Sequence, residues 1–318
     1  MRAARCYVGL DVGGTNIQAV AWREGATVGS GSIRTPSRPE EAVEAMARLA
    51  KEVSEGACVG VGVGLPGVVE REQGRTGFLP NLPSSWHGRL LGAELSAALG
   101  GIPTHLLNDA RMATLGELRH GAGQRFERVT MIVLTLGTGI GGGVVVDGRL
   151  RLGAKGAAGE LGHQLLDLSG IHCSCGARSC VETVATGPAL TAEGIRLLLT
   201  HQAPALEREV GGDWHRVSPK TMAAAASEDP AVALAIERVG QALGVAVANA
   251  IVILHPELVV LCGGMSALGD QVLTPLRQTV RERVQVFDAS DVQYEISSLG
   301  DLAGALGGAA LAELGGVV

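Results

Sequence analysis

The sequence has few aromatic residues and no run of basic residues. Phe, Trp and Tyr make up 3% of the 318 residues, so packing must rest on Ala, Val and Leu, and the 47 glycines indicate many tight turns. The formal net charge of -6 argues against a nucleic-acid-binding protein, because such proteins present a basic face or domain. We expect no nucleic-acid partner.

The sequence also lacks a signal peptide and an uninterrupted membrane span. Residues 243–264 are the longest apolar stretch, but Asn249 and residues 255–257 interrupt it, so it predicts a buried helix, a turn and a buried strand. The N-terminal residues lead into an alternating strand near Cys6 rather than into the apolar region of a signal peptide. These absences predict a cytoplasmic protein with no membrane partner.

Two glycine-rich hairpins favour a fold of two lobes with the same plan. Residues 6–23 predict a strand, the turn GGTN and a second strand, and residues 130–150 repeat this order around the turn GTGIGGG. Neither turn has the G-x-G-x-x-G spacing before a helix that dinucleotide-binding folds use. The chain is also longer than one hydrophobic core usually supports.

The turns of these hairpins are candidate anion sites, since backbone approaches a phosphate closely where no Cβ atom intervenes. A plain tight turn is the alternative for either hairpin alone. Paired glycines after the strand near residue 260 are a candidate seat for a nucleobase or ribose, or again a plain turn. The residues concerned are Gly13, Gly14, Thr15, Gly137, Thr138, Gly139, Gly263 and Gly264.

Asn108 and Asp109 are predicted to lie where a strand ends and a helix begins. Open α/β sheets commonly place their chemistry at such carboxyl ends of strands. An Asp at this position is also a common helix N-cap, so the sequence leaves both roles open for Asp109.

Three cysteines lie close together in the segment HCSCGARSC, and His163 precedes them. His163, Cys173, Cys175 and Cys180 supply a complete tetrahedral ligand set for a structural zinc ion, which leaves no position for a catalytic water. Buried or surface thiols without a metal are the alternative interpretation. His172 is an alternative fourth ligand, although its place directly beside Cys173 makes tetrahedral closure difficult. We call residues 163–180 the zinc loop.

Two acidic residues flank the zinc loop, Glu160 before it and Glu182 after it. Together with Asn108 and Asp109 they supply fixed hydrogen-bond acceptors of the kind that a polyhydroxyl ligand requires. Solvated surface carboxylates are the alternative interpretation.

These motifs resemble the ROK family of bacterial sugar kinases and related repressors, within the actin-like and hexokinase-like phosphotransferases. The resemblance extends nearly end to end. It rests on DVGGTN (11–16), GLPGVV (64–69), PNLPSSW (80–86), NDA (108–110), LGE (115–117), LGTGIGGG (136–143), GELGH (159–163), C-x-C-G-x-x-x-C-x-E (173–182) and VVLCGG (259–264).

The resemblance implies an α/β fold of two actin-like, ribonuclease H-like lobes with an active-site cleft and a zinc-stabilised loop. The smaller lobe would comprise residues 1–108 and 301–318. The larger lobe would comprise residues 109–300 and contain the zinc loop. The implied assembly is a homodimer or a dimer of dimers.

The implied activity is ATP-dependent phosphorylation of a hexose, with glucose as the favoured substrate. Asp109 would accept the proton of the attacking hydroxyl, and His163 would serve both zinc and sugar. The sugar-binding residues implied by the family pattern are Gly67, Asn81, Asn108, Asp109, Glu160, His163 and Glu182.

The resemblance also implies ATP, Mg²⁺ and structural Zn²⁺ as cofactors. The two hairpins would hold the ATP phosphates, Gly263 and Gly264 would border the adenosine, and Mg²⁺ would contact Asp11 through water. The implied nucleotide-binding residues are Asp11, Gly13, Gly14, Thr15, Asn16, Gly137, Thr138, Gly139, Gly263 and Gly264.

Two residues depart from the family pattern: Arg111 follows NDA where Asn is usual, and Ser179 replaces a Gly in the zinc loop. These departures concern loop geometry and substrate preference.

Alternative activities are a kinase for fructose, mannose or an N-acetylhexosamine, and a non-catalytic sugar-binding regulator. The family's repressors carry a helix-turn-helix before the first strand, for which a strand starting near Cys6 leaves no room. Polyphosphate is an alternative phosphate donor.

Overall fold

The computed structural model describes residues 5–318 and shows an α/β fold. Helices follow most of the strands or groups of strands, and α4 to α7 come one after another between β10 and β11. The strands are β1 (Cys6–Val12), β2 (Asn16–Arg23), β3 (Ala26–Arg34), β4 (Cys58–Leu65), β5 (Val69–Glu70), β6 (Arg75–Thr76), β7 (Thr104–Asn108), β8 (Met131–Leu136), β9 (Ile140–Val146), β10 (Arg149–Arg151), β11 (Leu258–Cys262) and β12 (Gln293–Ile296). The helices are α1 (Pro39–Val53), α2 (Leu91–Ala98), α3 (Asp109–His120), α4 (Gly187–Leu199), α5 (Pro204–Val210), α6 (Pro219–Ala225), α7 (Pro230–Leu254), α8 (Asp270–Arg283) and α9 (Ala303–Glu313).

Two five-stranded sheets share one plan, as the repeated hairpins predicted. Their strand orders are β3-β2-β1-β4-β7 and β10-β9-β8-β11-β12. In the first sheet β1 pairs antiparallel with β2 and parallel with β4, and β4 pairs parallel with β7. In the second sheet β11 pairs parallel with both β8 and β12. Parallel pairing places the carboxyl ends of β1, β4 and β7 at one edge of their sheet.

The chain divides into two compact units. One comprises residues up to 129, 143–159 and 298–318, and the other comprises residues 130–142 and 160–297. Helix α3 belongs to the first unit, whereas the expected boundary after Asn108 assigned it to the larger lobe. The physical reason is its packing on α9, where a Cβ on Gly116 would lie 2.2 Å from the Ala303 carbonyl oxygen.

Helix α9 packs on the first sheet through contacts that only glycine permits. A Cβ on Gly9 of β1 would lie 1.7 Å from the Ala305 carbonyl oxygen, and one on Gly62 of β4 would lie 2.0 Å from the Gly308 carbonyl oxygen. No side chain fits at such separations. Helix α9 is therefore held directly against the strands whose ends carry the predicted site residues.

Helix α7 forms the centre of the hydrophobic core of the second unit. It is the one helix within residues 5–318 that is long and apolar enough to cross a membrane by length and composition alone, and 67% of its most apolar window is buried. Buried helices of soluble proteins satisfy the same criterion. Gly240 and Gly244 bring α7 close to α8, since a Cβ on Gly240 would lie 2.5 Å from the Val272 carbonyl oxygen.

Residues 200–217 contain a packed helix. Helix α5 starts with Pro204 and buries Ala205, Leu206 and Val210. The buried carboxylate of Asp229 accepts hydrogen bonds from the Ala205 and Leu206 backbone N–H groups, at 3.1 and 2.8 Å. The carboxylate thereby satisfies two donors at the start of the helix.

The contact between β4 and α9 leads to a prediction about the free energy of unfolding. Gly62→Ala should lower the free energy of unfolding by about 2 kcal/mol or more, because its Cβ meets the Gly308 backbone, which cannot move without displacing α9. Gly60→Ala is the matched control on the same strand, since its Cβ would lie 3.3 Å from the Tyr7 ring, a side chain that can shift. Urea unfolding measures both values. Equal losses for the two variants would contradict the prediction.

Candidate functional site

In the first unit, Asn108 ends β7 and caps α3. Its Oδ1 accepts hydrogen bonds from the Ala110 and Arg111 backbone N–H groups, at 3.1 and 3.2 Å. The N-cap position, which the sequence left open for Asp109, is therefore occupied by Asn108. Asp109 is the first residue of the helix. Asp109 Oδ1 also accepts a hydrogen bond from the Ala110 backbone N–H, at 2.8 Å, so both side chains contact the first turn of the helix.

Asn108 also connects Gly67 and Asp109. Its Nδ2 donates to the Gly67 carbonyl oxygen at 3.0 Å and to Asp109 Oδ1 at 3.0 Å. Gly67 has a φ of 85°, and a Cβ there would lie 2.3 Å from the Phe78 carbonyl oxygen. Three of the predicted sugar-binding residues thus lie together, with the amide of Asn108 oriented by donors on one side and acceptors on the other.

Asp11 lies near the end of β1, in a space left by two glycines. Cβ atoms on Gly64 and Gly304 would lie 3.3 and 2.3 Å from its carboxylate oxygens. Burial, and then the neighbouring charge of Asp109, raise the pKa of Asp11 from 3.8 to about 7. A bound cation would offset both effects, so this carboxylate fits the predicted role near Mg²⁺.

The first glycine turn, residues 13–15, is exposed and tied to its neighbours. The Gly13 N–H donates to the Asn16 carbonyl oxygen at 2.9 Å, and the Thr35 hydroxyl donates to the Gly13 carbonyl oxygen at 2.7 Å. A Cβ on Gly14 would lie 2.8 Å from the Asn81 carbonyl oxygen. The turn therefore lies against Asn81, while the Gly13 N–H is used within the turn itself.

In the second unit, the second glycine turn, residues 137–139, is held by three hydrogen bonds. The Gly137 N–H donates to the Gly139 carbonyl oxygen at 3.0 Å, and the Gly187 N–H donates to the Gly137 carbonyl oxygen at 3.0 Å. The Ile140 N–H donates to Glu182 Oε2 at 2.8 Å. Glu182, predicted as a sugar ligand, thus lies against the predicted phosphate-binding turn.

Gly263 follows β11 and lies against the strand that leads into the second glycine turn. Its φ is 86°, and a Cβ there would lie 2.5 Å from the Leu136 carbonyl oxygen. Gly264 begins the short 3₁₀ segment after it. The structure therefore brings the two predicted nucleotide-binding segments of this unit together.

The four predicted metal ligands converge. Their ligand atoms all lie within 4.8 Å of one another; His163 Nδ1 is 3.7 Å from Cys173 Sγ, and Cys175 Sγ is 3.7 Å from Cys180 Sγ. A tetrahedron with Zn–S bonds of about 2.3 Å has S–S edges of about 3.8 Å. The group therefore fits a structural zinc ion. His172 is exposed and outside this group.

Burial of the Cys180 thiol also bears on metal binding. Burial, and then hydrogen bonding to and repulsion from Cys173 and Cys175, raise the pKa of Cys180 to about 12. Metal ligation requires the thiolate form, and a bound cation supplies the compensating charge.

The His163 imidazole has two different neighbours. Nδ1 is directed to the cysteines, whereas Nε2 is 3.9 Å from Glu160 Oε2. One ring nitrogen therefore faces the metal group, and the other lies beside the acidic residue that precedes the zinc loop.

Both departures from the family pattern are buried. Arg111 is 1% exposed, and its Nη1 donates to Asn108 Oδ1 at 3.1 Å, so it acts on the cap that orients Asn108. Ser179 has a φ of 59°, a left-handed conformation that glycine adopts at lower cost. Its hydroxyl accepts a hydrogen bond from the Gly170 N–H at 2.6 Å.

Sequence reasoning missed the glycines that create space around the site. A Cβ on Gly162 would lie 2.4 Å from the Ile140 carbonyl oxygen, and Gly304 leaves room for Asp11. One signal was present for Gly304, because glycine within a helix costs about 1 kcal/mol relative to Ala and therefore needs a packing reason.

We expect protein purified without chelators to contain about one zinc ion per chain. Cys175→Ala should lose most of this zinc, because three ligands hold the ion less tightly than four. Cys58→Ala, which changes a buried cysteine outside the group, should retain it. Elemental analysis measures both, and metal-free wild-type protein would contradict the assignment.

The raised pKa of Asp11 leads us to expect that the free energy of unfolding depends on pH. Its carboxyl binds a proton more tightly in the folded protein than in the unfolded chain, so stability falls as the pH rises from about 4 to about 7. In metal-free protein, Asp11→Asn should raise the thermal midpoint, with a gain that grows through this window and then levels off. Asp301→Asn, an exposed position, is the control. A gain independent of pH would refute this explanation.

The comparisons with known proteins point to one family. Residues 7–314 match the model of the ROK family. The chain is 35% identical over 309 residues to a glucokinase of Thermotoga maritima, covering 96% of each chain. It is 30% identical over 269 residues to a xylose repressor of Caldicellulosiruptor bescii, covering 83% of this chain and 65% of the repressor.

A solved structure from the same family is also similar to this chain. A ROK family glucokinase from Streptomyces griseus, in complex with glucose and AMPPNP, superposes with a TM-score of 0.83 at 30% identity, covering 97% of this chain and 99% of that one. The family match extends over nearly the whole chain and includes the segments that contain the metal group, the two glycine turns and Asp109. This chain belongs to the ROK family.

Proposed function

We propose that this protein is a sugar kinase that transfers the γ-phosphoryl group of ATP to a hexose, with glucose converted to glucose 6-phosphate. The principal support is its similarity over nearly the full chain to a glucokinase, and to a glucokinase solved with glucose and AMPPNP. The residues described above provide the groups that such a reaction requires.

Asp109 is proposed as the general base. Its carboxylate follows the end of β7, and Nδ2 of Asn108 donates to its Oδ1. That hydrogen bond orients the carboxylate, whose ionised form accepts a hydroxyl proton. Asn108, Gly67 and Asn81 are proposed to bind the sugar in the same unit.

Glu160, His163 and Glu182 are proposed to bind the remaining sugar hydroxyls. Nε2 of His163 and the Glu160 carboxylate are neighbours. The imidazole nitrogen can donate or accept a hydrogen bond, and the carboxylate beside it can accept one. Cys173, Cys175, Cys180 and Nδ1 of His163 would hold the zinc ion, whose chemistry here is structural, since four protein ligands complete its coordination.

The two glycine turns are proposed to bind the nucleotide phosphates, through residues 13–16 and 137–139, with Gly263 and Gly264 beside the adenosine. The turn residues have small or no side chains, so a phosphate can approach their backbone. The hydrogen bonds around each turn fix its shape. Mg²⁺, bound near Asp11 through water, would neutralise phosphate charge when present. Phosphoryl transfer depends mainly on such positioning and charge neutralisation.

A sugar-binding regulator is the second candidate, because the relatives include a xylose repressor. Turnover separates the two candidate functions, since a regulator binds sugar without transferring phosphate.

For assembly and location, we propose a cytoplasmic homodimer or dimer of dimers. Exposed apolar side chains of the second unit, such as Leu168, Ile171 and Ile253, are of the kind that subunit contacts cover.

The test of the function is a panel of hexoses with Mg-ATP. We expect ADP release with glucose, and lower kcat/KM with fructose, mannose and N-acetylhexosamines. Polyphosphate in place of ATP tests the donor. Absence of turnover with every hexose, in protein that binds sugar, would favour the regulator.

Asp109→Asn tests the base in the same assay. It should lower kcat by about 10²- to 10⁴-fold, because Asn cannot accept the hydroxyl proton. Zinc content and sugar affinity, measured by elemental analysis and calorimetry, should stay near the wild-type values. An unchanged kcat would remove Asp109 from this role.

A further inference from the structure

Ile140 is contacted by residues on both sides of the zinc loop. It is the first residue of β9, directly after the second glycine turn, and is 2% exposed. Gly162, just before His163, packs on its backbone and side chain; a Cβ on Gly162 would lie 2.4 Å from the Ile140 carbonyl oxygen and 2.6 Å from its Cβ. Glu182, two residues after Cys180, accepts the Ile140 N–H.

Glu182 contacts both the metal group and the turn. Its Oε2 is 2.8 Å from the Ile140 nitrogen, and its Oε1 is 3.9 Å from Cys173 Sγ. A Cβ on Gly139 would lie 2.8 Å from Glu182 Oε2, so glycine is needed there for the carboxylate to reach the backbone. The carboxylate thus spans from a metal ligand to the backbone of the turn.

A third connection follows Glu182 along the chain. Thr186 caps α4, and the N–H of the next residue, Gly187, donates to the Gly137 carbonyl oxygen at 3.0 Å. The segment after Cys180 therefore holds the second glycine turn at both of its ends, Gly137 and Ile140.

We propose that the zinc loop positions the second glycine turn, with Glu182 and Gly162 as positioning residues acting through Ile140. For nucleotide binding, the proposal rests on the proposed function, in which this turn binds ATP phosphates. Zinc occupancy then determines nucleotide affinity.

The physical basis is chain entropy. A zinc ion held by these ligands would join His163 to Cys180 and so fix the residues that flank both ligands. Without that link the flanking segments gain conformational freedom, and ordering them again opposes the Glu182–Ile140 hydrogen bond. The turn then has fewer contacts that fix its shape, and an anion bound to it must supply the ordering free energy.

The first test is hydrogen–deuterium exchange of the full-length protein with and without zinc. We expect removal of zinc to speed exchange in residues 137–143 by about tenfold or more. Peptides from α7 and α8, in the same unit, should keep their protection and so show that the unit remains folded. Unchanged exchange at 137–143 in zinc-free protein would overturn the proposal, and this result does not depend on the protein being a kinase.

The second test leaves the metal in place. Gly139→Ala should displace Glu182 and speed exchange at the Ile140 amide, whereas Gly137→Ala, whose Cβ would meet no atom within 4 Å, should not. Both variants should retain zinc. Equal exchange in the two variants would count against Glu182 as the link.

Nucleotide affinity separates this proposal from the proposed function. Calorimetry with Mg-AMPPNP should show about tenfold weaker binding for zinc-free protein than for wild type. If wild-type protein does not bind Mg-AMPPNP, the proposed function fails and exchange alone decides the positioning role. If wild type binds and zinc removal leaves the affinity unchanged, the positioning of the turn for nucleotide is refuted.

Discussion

Close approach of backbone to backbone, without side chains between, is the constraint on which both units depend. In the first unit it lets α9 lie directly on β1 and β4 through Gly9 and Gly62. In the second unit Gly162 lets the segment before His163 approach the Ile140 backbone, and Gly263 lies against the Leu136 carbonyl oxygen. Interiors packed at crystal-like density have no space to spare, so one added methyl group at these contacts displaces an element.

The candidate functional groups are held mainly by backbone hydrogen bonds. Asn108 uses its side-chain oxygen as the cap of α3 and its nitrogen to reach Gly67 and Asp109. Glu182 is held by the Ile140 N–H. Backbone donors at element ends are fixed by the fold, so side chains bonded to them are oriented before any ligand arrives. Such preorganisation is what positioning a sugar hydroxyl and a phosphate requires.

Much of the plan was predictable because it depends on local patterns. The two hairpins, the strand-to-helix junction at Asn108 and Asp109, and the buried helix and strand after Leu243 follow from alternation, apolar runs and turn residues. Strand β3 and helix α5 were not predicted. The first has mostly small residues, and the second is short and depends on Asp229 from another segment.

The sequence by itself determined the chemical groups: four soft ligands close together in the chain, carboxylates beside them, and glycines at two turns. Spacing along the chain limits which side chains can converge, so a metal set could be recognised without coordinates. The tertiary structure alone decided which partner each group has. It gave the cap to Asn108 rather than Asp109, buried Arg111 beside that cap, and placed Glu182 on the Ile140 amide. These contacts join residues from separate segments, and the packing of whole elements, which local pattern does not encode, sets their distances.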